Sequence, residues 1–170
     1  MLPPLALSKS MLKSEVFGAD YLFQHTKEGF MAAKLVDFFN KIPRLGTLST
    51  ANREGKVDVA YFGSARMLDE KTIFMGCGKN RTFANLQENP NAVFAIMEPG
   101  NSPPEWKGIR IYLKMTECQT SGKKLEDLKK MLAEKVSKAA ADMMHAAITF
   151  EVQELRPFVY FGQGREKAIQ

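Results

Sequence analysis

Four consecutive side chains suited to binding an anion stand where the sequence predicts the start of a helix. They are Lys79, Asn80, Arg81 and Thr82, and they follow the glycine-bracketed turn 76–78. Free backbone N–H groups at a helix start attract negative charge. Arginine can donate to two phosphate oxygens at once, and lysine adds a compact positive charge. Spacing alone leaves two interpretations open: a phosphate-type anion site, or a helix cap beside a surface arginine.

Few other residues are candidates for chemistry. The two histidines, His25 and His145, are far apart in sequence, and we expect structural roles for both. Cys77 lies between two glycines, where a small residue in a tight turn explains it better than a reactive thiol. Metal-binding, hydrolase, P-loop and Rossmann motifs are lacking, so we assign no metal and identify no catalytic residue.

Composition favours a globular cytoplasmic protein. The chain has 170 residues, 25% of them charged, a net charge of +5 and two cysteines. It has neither an apolar run long enough to span a membrane nor a signal-peptide pattern, and two cysteines make no disulfide framework. Much of the positive charge falls on one helix as a solvated face. We therefore expect neither nucleic acid nor membrane as a partner.

The elements that would position the anion-binding residues are mostly strands. Two segments, "RLGTLSTA" and "KVDVAYFGSARML", alternate as strands around the turn "NREG", and "TIFMG" is a third. The run "NAVFAIM" and the alternating segments "IRIYLKMTECQT" and "AAITFEVQEL" complete a set of six. Helical spacing marks "AAKLVDFFNKI", a short piece after Arg81, and 121–140 with Leu125, Leu128, Leu132 and Val136 on its buried stripe.

These elements predict a mainly β protein with flanking helices, of the α+β class. The first three strands read as consecutive hairpins, which implies antiparallel pairing. Short antiparallel strands avoid a long open edge by closing into a small barrel. We expect an N-terminal extension at 1–30, one domain at 31–162 and a C-terminal tail at 163–170.

The segment "STANREGKVDVAYFGSARMLDEKTIFMG", followed by "NRTFANLQENPNAVFAI", resembles the FMN-binding split-barrel family. These are flavoproteins related to pyridoxamine 5'-phosphate oxidase, and the small FMN-binding electron-transfer proteins are the most similar. The resemblance rests on the order of the segment Ser49–Gly55, the aspartate turn at Asp69, Arg81-Thr82, Asn85-Leu86 and Asn89-Pro90. It extends over about residues 32–155.

The resemblance implies a six-stranded antiparallel Greek-key split barrel that forms a homodimer with FMN at the subunit interface. Arg81 and Thr82 would hold the phosphate, with Lys79 and Asn80 beside it. The flavin ring would be lined by Ala60, Tyr61 and Phe62 and approached by the backbone of Gly76 and Cys77. Trp106 either covers the site from one of the subunits or packs locally.

The chain also departs from the family. Arg81 stands where lysine is common, and the arginine-rich C-terminal substrate motif of true pyridoxamine-phosphate oxidases is not visible. We therefore expect an FMN-binding flavoprotein, an oxidoreductase or electron-transfer protein whose redox partner or small-molecule substrate is unidentified. The alternative is a split barrel that binds haem or another ligand without redox catalysis, with His25 or His145 as the candidate haem ligand.

Overall fold

The computed structural model describes the backbone of residues 19–169 and their side chains except those of 19–28, 30 and 166. Four α-helices lie in this part: α1 (Ala19–Asn40), α2 (Arg81–Glu88), α3 (Lys123–Lys135) and α4 (Lys138–Asp142). The strands are β1 (Leu45–Ala51), β2 (Val57–Tyr61), β3 (Arg66–Asp69), β4 (Thr72–Cys77), β5 (Asn91–Glu98), β6 (Lys107–Gln119) and β7 (Ala146–Pro157). Short 3-10 turns occupy Pro103–Glu105 and Arg165–Ala168.

All seven strands form one antiparallel sheet in the order β2-β1-β5-β6-β7-β4-β3. The two outermost strands, β2 and β3, are joined by only four residues, Phe62 to Ala65. Such a link spans at most about 18 Å, whereas a flat sheet of this width would separate its edges by about 29 Å. The sheet therefore curves until its edges approach, and it stays split because β2 and β3 do not pair.

The α+β class is confirmed, but the count of six strands is wrong. The segment "KVDVAYFGSARML", expected as one strand, forms two. Its first half pairs with β1 and its second half with β4, at opposite ends of the sheet. Because β1 and β4 lie far apart in the strand order, one straight strand does not reach both, and the chain leaves the sheet between Tyr61 and Arg66.

Side chains at the end of α1 and just after it hold the connection between β2 and β3 in place. The side chain of Asn40 accepts from the backbone N–H of Met67 at 3.0 Å and donates to its carbonyl at 2.8 Å. The Arg44 guanidinium donates to the carbonyls of Phe39 and Ala65. Burial, aided by the nearby Arg66, lowers the pKa of Arg44 to about 10. Both contacts hold the start of β3 against α1.

The barrel core follows the alternation seen in the sequence. Ile109, Ile111 and Leu113 of β6 are buried, as predicted. Of the stripe predicted for 121–140, Leu125, Leu128 and Leu132 are buried. The prediction for Val136 is wrong. This residue is 68% exposed, because α3 ends at Lys135 and a new helix starts after Ser137. The Ser137 side chain accepts from the backbone N–H of Ala140 and caps α4.

One of the two predicted segment boundaries falls inside a helix. Helix α1 runs without a break across residue 30 and buries Leu35, Phe38 and Phe39 in the core. Near the other end, Ile169 also joins that core. Residues 1–18 of the predicted extension lie outside the described part, and the three-part division stays a prediction. Within 19–169, none of the helices is long and apolar enough to cross a membrane.

Candidate functional site

The predicted anion-binding residues lie at the start of α2, immediately after β4. Asn80 is the N-cap of this helix, because its side-chain oxygen accepts from the backbone N–H of Phe83 at 3.0 Å. This is the capping role that an asparagine with extended backbone performs well. Lys79 is exposed, and no partner for it is recorded in the described part of the chain. The helix cap of the second interpretation is therefore present, and Lys79 places an exposed positive charge beside it.

Arg81 and Thr82 share one partner that the sequence did not suggest. An Nη1 atom of Arg81 lies 3.8 Å from Oδ1 of Asp58, on β2. Thr82 is 1% exposed, and its hydroxyl donates to the other carboxylate oxygen of Asp58 at 3.4 Å. The side chain of Arg81 is nevertheless 65% exposed, so its guanidinium retains free donors. A carboxylate thus already stands beside the predicted anion site.

The glycine turn is packed against helices. A β-carbon at Gly76 would lie 2.7 Å from Sδ of Met144 and 2.8 Å from Cδ2 of Leu128. A β-carbon at Gly78 would lie 3.2 Å from the carbonyl oxygen of Met143. Close packing against α3 and the residues after α4 therefore accounts for Gly76 without a ligand.

Cys77 is fully buried, and burial raises its pKa to about 11. Its Sγ lies 3.6 Å from the side-chain oxygen of Asn80. Because only the thiolate is an effective nucleophile, this cysteine is not suited to covalent chemistry. Its part in the site is structural, at the end of β4.

Strand β2 presents different chemistry on its two faces. Ala60 packs against the core and Phe62, just beyond the strand, is 8% exposed within it, so both point inward. Val57, Val59 and Tyr61 point outward and are 72%, 62% and 61% exposed. The alternation predicted for this strand is correct. Of the three residues expected to line a flavin ring, only Tyr61 has an exposed side chain.

Trp106 is not brought to this site. Its Nε1 donates to the carbonyl of Gly100 at 3.0 Å, within its own loop. Asp58 lies in register with Leu113 of β6, through Thr50 and Ala92. Trp106 precedes the opposite end of β6, about 20 Å along the strand from Leu113. Within one chain, Trp106 therefore does not cover Arg81.

One histidine does lie next to the site. The ring of His145 meets that of Phe83 edge to face, with centroids 4.7 Å apart. Its backbone N–H donates to the carbonyl of Cys77 at 2.9 Å. His25 falls where side chains are not described. Among the described residues, no group of three His, Cys, Asp or Glu side chains is arranged to hold a metal ion.

Sequence analysis missed Asp58, although a signal for it exists. Asp58 alternates with Val57 and Val59, so it shares the inward face of β2 with Ala60 and Phe62. A charged residue on the buried face of a strand needs a partner. Its partners, Arg81 and Thr82, lie 23 and 24 residues further along the sequence, so only the fold identifies them.

Comparisons with known proteins agree with this architecture. An FMN-binding protein from Syntrophomonas wolfei subsp. wolfei has a TM-score of 0.68 and 23% identity, covering 89% of this chain and 99% of that one. HupZ from Group A Streptococcus has a TM-score of 0.60 and 20% identity, covering 74% and 92%. HutZ, the heme storage protein from Vibrio cholerae, has a TM-score of 0.55 and 14% identity, also covering 74% and 92%. At these identities the likeness shows the fold alone.

No sequence among the curated proteins matches the chain. The family described as pyridoxamine 5'-phosphate oxidase matches residues 31–158, which is most of the chain and includes every strand. This protein belongs to the pyridoxamine 5'-phosphate oxidase family.

Proposed function

We propose that this protein binds FMN non-covalently and serves as an oxidoreductase or electron-transfer protein. The observation that carries the proposal is that β2 adjoins two unlike surfaces. At Asp58 it meets the cationic start of α2. At Val57, Val59 and Tyr61 it exposes apolar side chains. FMN has the same two-part chemistry, an anionic phosphate at one end and a flat, largely apolar ring system at the other.

The residues present fit the phosphate end of such a ligand. Arg81 offers an exposed guanidinium, and Lys79 adds an exposed ammonium group next to the helix start. Asn80 fixes the first turn by capping it, so that these side chains begin from a defined backbone position. Thr82 is buried and contributes by holding Asp58.

The ring end would lie against the outer surface of β2, where Tyr61 is the exposed member of the predicted set. Ala60 and Phe62 face the core and would support this strand from behind. Gly76 and Cys77 form the end of β4, next to the helix start. Trp106 could approach the ring only from a second subunit, because it lies at the far end of its own sheet.

A homodimer would cover the outer face of the sheet and is part of the proposal. The face is continuous across three paired strands, because Val57, Val59 and Tyr61 stand beside Ala51, Ser49 and Thr47, and Ser49 beside Val93. This face carries more apolar side chains than is usual for a sheet face in contact with water. Its members are Leu45, Thr47, Ser49, Ala51, Val57, Val59, Tyr61, Val93, Ala95 and Met97. An apolar patch of this kind marks an interaction site.

When bound, FMN would supply the capacity to take up and give off electrons. The chain's own part would be to bind the phosphate and to orient the ring. Among the described residues we assign none as general acid or base. The redox partner or substrate is unidentified.

The absorption spectrum of the purified protein, with and without added FMN, tests this proposal. We expect a yellow protein whose visible bands bleach with dithionite. Equilibrium dialysis should give one FMN per chain, in a dimer. A colourless protein that takes up no FMN would contradict the proposal.

Haem binding is the second candidate, favoured by the position of His145. Its imidazole is half-buried beside Phe83 and the end of β4, next to the same helix start. A Soret band that disappears in His145→Ala would support haem. The same spectrum therefore separates the two candidates.

A further inference from the structure

The start of α2 already has an anion beside it, the carboxylate of Asp58. One of its oxygens lies 3.8 Å from Nη1 of Arg81, and the other accepts from the hydroxyl of Thr82 at 3.4 Å. Arg81 is a residue that the proposed function assigns to the phosphate, and Thr82 holds the carboxylate next to it. The side chain of Asp58 is 21% exposed, so this carboxylate is partly shielded from water.

A layer of buried polar side chains lies next to Asp58, between α2 and the β1–β2 hairpin. The buried polar residues of the described part are Thr50, Thr82 and Asn85. The side-chain amide of Asn85 donates to the hydroxyl of Thr50 at 3.1 Å, and Thr50 is the register partner of Asp58. Asp58 joins this layer through the hydroxyl of Thr82.

Two roles for such a carboxylate predict opposite effects on a phosphate ligand. It could orient Arg81 and so help binding, or it could compete for Arg81 and repel the phosphate. An ion pair at 3.8 Å with a two-thirds exposed guanidinium is too loose for directional orientation, and exposed pairs contribute little. A carboxylate and a phosphate that contact the same guanidinium carry like charges, and their repulsion does not depend on alignment. The repulsive effect is therefore the larger.

We propose that Asp58 is a specificity-determining residue that competes with the ligand phosphate for Arg81 and so limits the affinity of the site for FMN. This inference rests on the proposed function. It concerns the regulation of affinity at the same site: the phosphate must displace Asp58 from Arg81 or bind beside it. Riboflavin, which has no phosphate, escapes the competition.

The substitution Asp58→Asn removes the negative charge and keeps the shape of the side chain, because an amide oxygen still accepts from Thr82. FMN and riboflavin are each titrated into flavin-free protein, and quenching of flavin fluorescence gives both dissociation constants. We expect Asp58→Asn to tighten FMN binding about three- to tenfold and to leave riboflavin unchanged. Asp58→Ala, which removes charge and acceptor together, should also favour FMN over riboflavin relative to the wild type. Circular dichroism confirms that each variant is folded.

A matched control is Asp127→Asn, which removes an aspartate that pairs with Lys123 on α3, away from this site. It should change neither flavin's affinity. If the wild type prefers FMN to riboflavin while Asp58→Asn binds FMN no more tightly, the competition is wrong and the proposed function stands. If the wild type binds both flavins equally or neither of them, the phosphate assignment itself fails and the role of Asp58 falls with it.

Discussion

Val59 on the outermost strand β2 stands opposite Ser49 of β1, and both side chains point to the outer face of the sheet. Val59 is 62% exposed, with Val57 and Tyr61 on either side of it in the same row. If a second copy of the chain covers this face, a charge at Val59 would be buried without a partner. We expect Val59→Arg to weaken dimerisation about a hundredfold or more, measured by sedimentation equilibrium.

The control for this change is Val136→Arg, because Val136 is 68% exposed at the break between α3 and α4. It should leave the dimer intact. A wild-type protein that stays monomeric with FMN bound at one per chain would contradict the interface.

Asn80 gives a prediction about stability. Its side-chain oxygen caps α2 through the N–H of Phe83. Loss of such a cap costs about 0.5–2 kcal/mol, so Asn80→Ala should lower the free energy of unfolding by about 1 kcal/mol. Urea denaturation measures the difference, with Asn101→Ala in an exposed loop as control. Equal stabilities of the two variants would show that the cap contributes nothing.

Cys77 gives a prediction about pH. Its pKa is about 11 in the folded protein against an ordinary value of 9.0, so the folded state holds the thiol proton more tightly. Stability should therefore be undiminished below pH 9 and fall as pH rises from about 9 to 11. Cys77→Ala should lose this part of the alkaline decrease, while Cys118→Ala should retain it. An identical alkaline profile in Cys77→Ala and the wild type would contradict the assignment.

The same burial predicts the order of thiol modification. Cys118 is only half-buried, whereas Cys77 is fully buried. In the folded protein at neutral pH, we expect iodoacetamide to label Cys118 first, and Cys77 only after denaturation. Peptide mass spectrometry identifies the labelled residue. Rapid labelling of Cys77 in the folded state would mean that the end of β4 opens.

Local patterns in the sequence predicted the features that depend on residues close together along the chain, such as the buried face of a strand. The alternation of Ile109, Ile111 and Leu113 predicted the buried face of β6, and the alternation of side chains along β2 was likewise visible. The break between Tyr61 and Arg66 was not predicted, because alternation continues through it. Its cause is the pairing of each half with a different strand.

At the site, the cluster at the start of α2 was predicted from spacing, and Asp58 was not. Its contacts with Arg81 and Thr82 depend on how β2 is placed against α2. The resemblance left Trp106 either covering the site from one of the subunits or packing locally, and its hydrogen bond to Gly100 lies within its own loop. Residue type shows which side chains can bind an anion, and only the fold shows which of them meet.

The phosphate assignment also predicts a graded series at the helix start. Arg81→Lys retains the charge and loses only the two-pronged geometry, so it should weaken FMN binding much less than Arg81→Ala. Thr82→Val should have the smallest effect on FMN, because the Thr82 hydroxyl is turned toward Asp58. Fluorescence titration with FMN orders the three variants. A larger loss in Thr82→Val than in Arg81→Ala would contradict the assignment.

The most direct test of the central claim compares FMN and riboflavin binding to the wild type and to Arg81→Ala. A charge-assisted contact with phosphate is worth about 1.5–3 kcal/mol, so the substitution should weaken FMN binding roughly ten- to a hundredfold. Riboflavin, which lacks the phosphate, should bind both proteins with the same affinity. If Arg81→Ala weakened the two flavins equally, or neither, Arg81 would not be the phosphate ligand and the proposed site would be wrong.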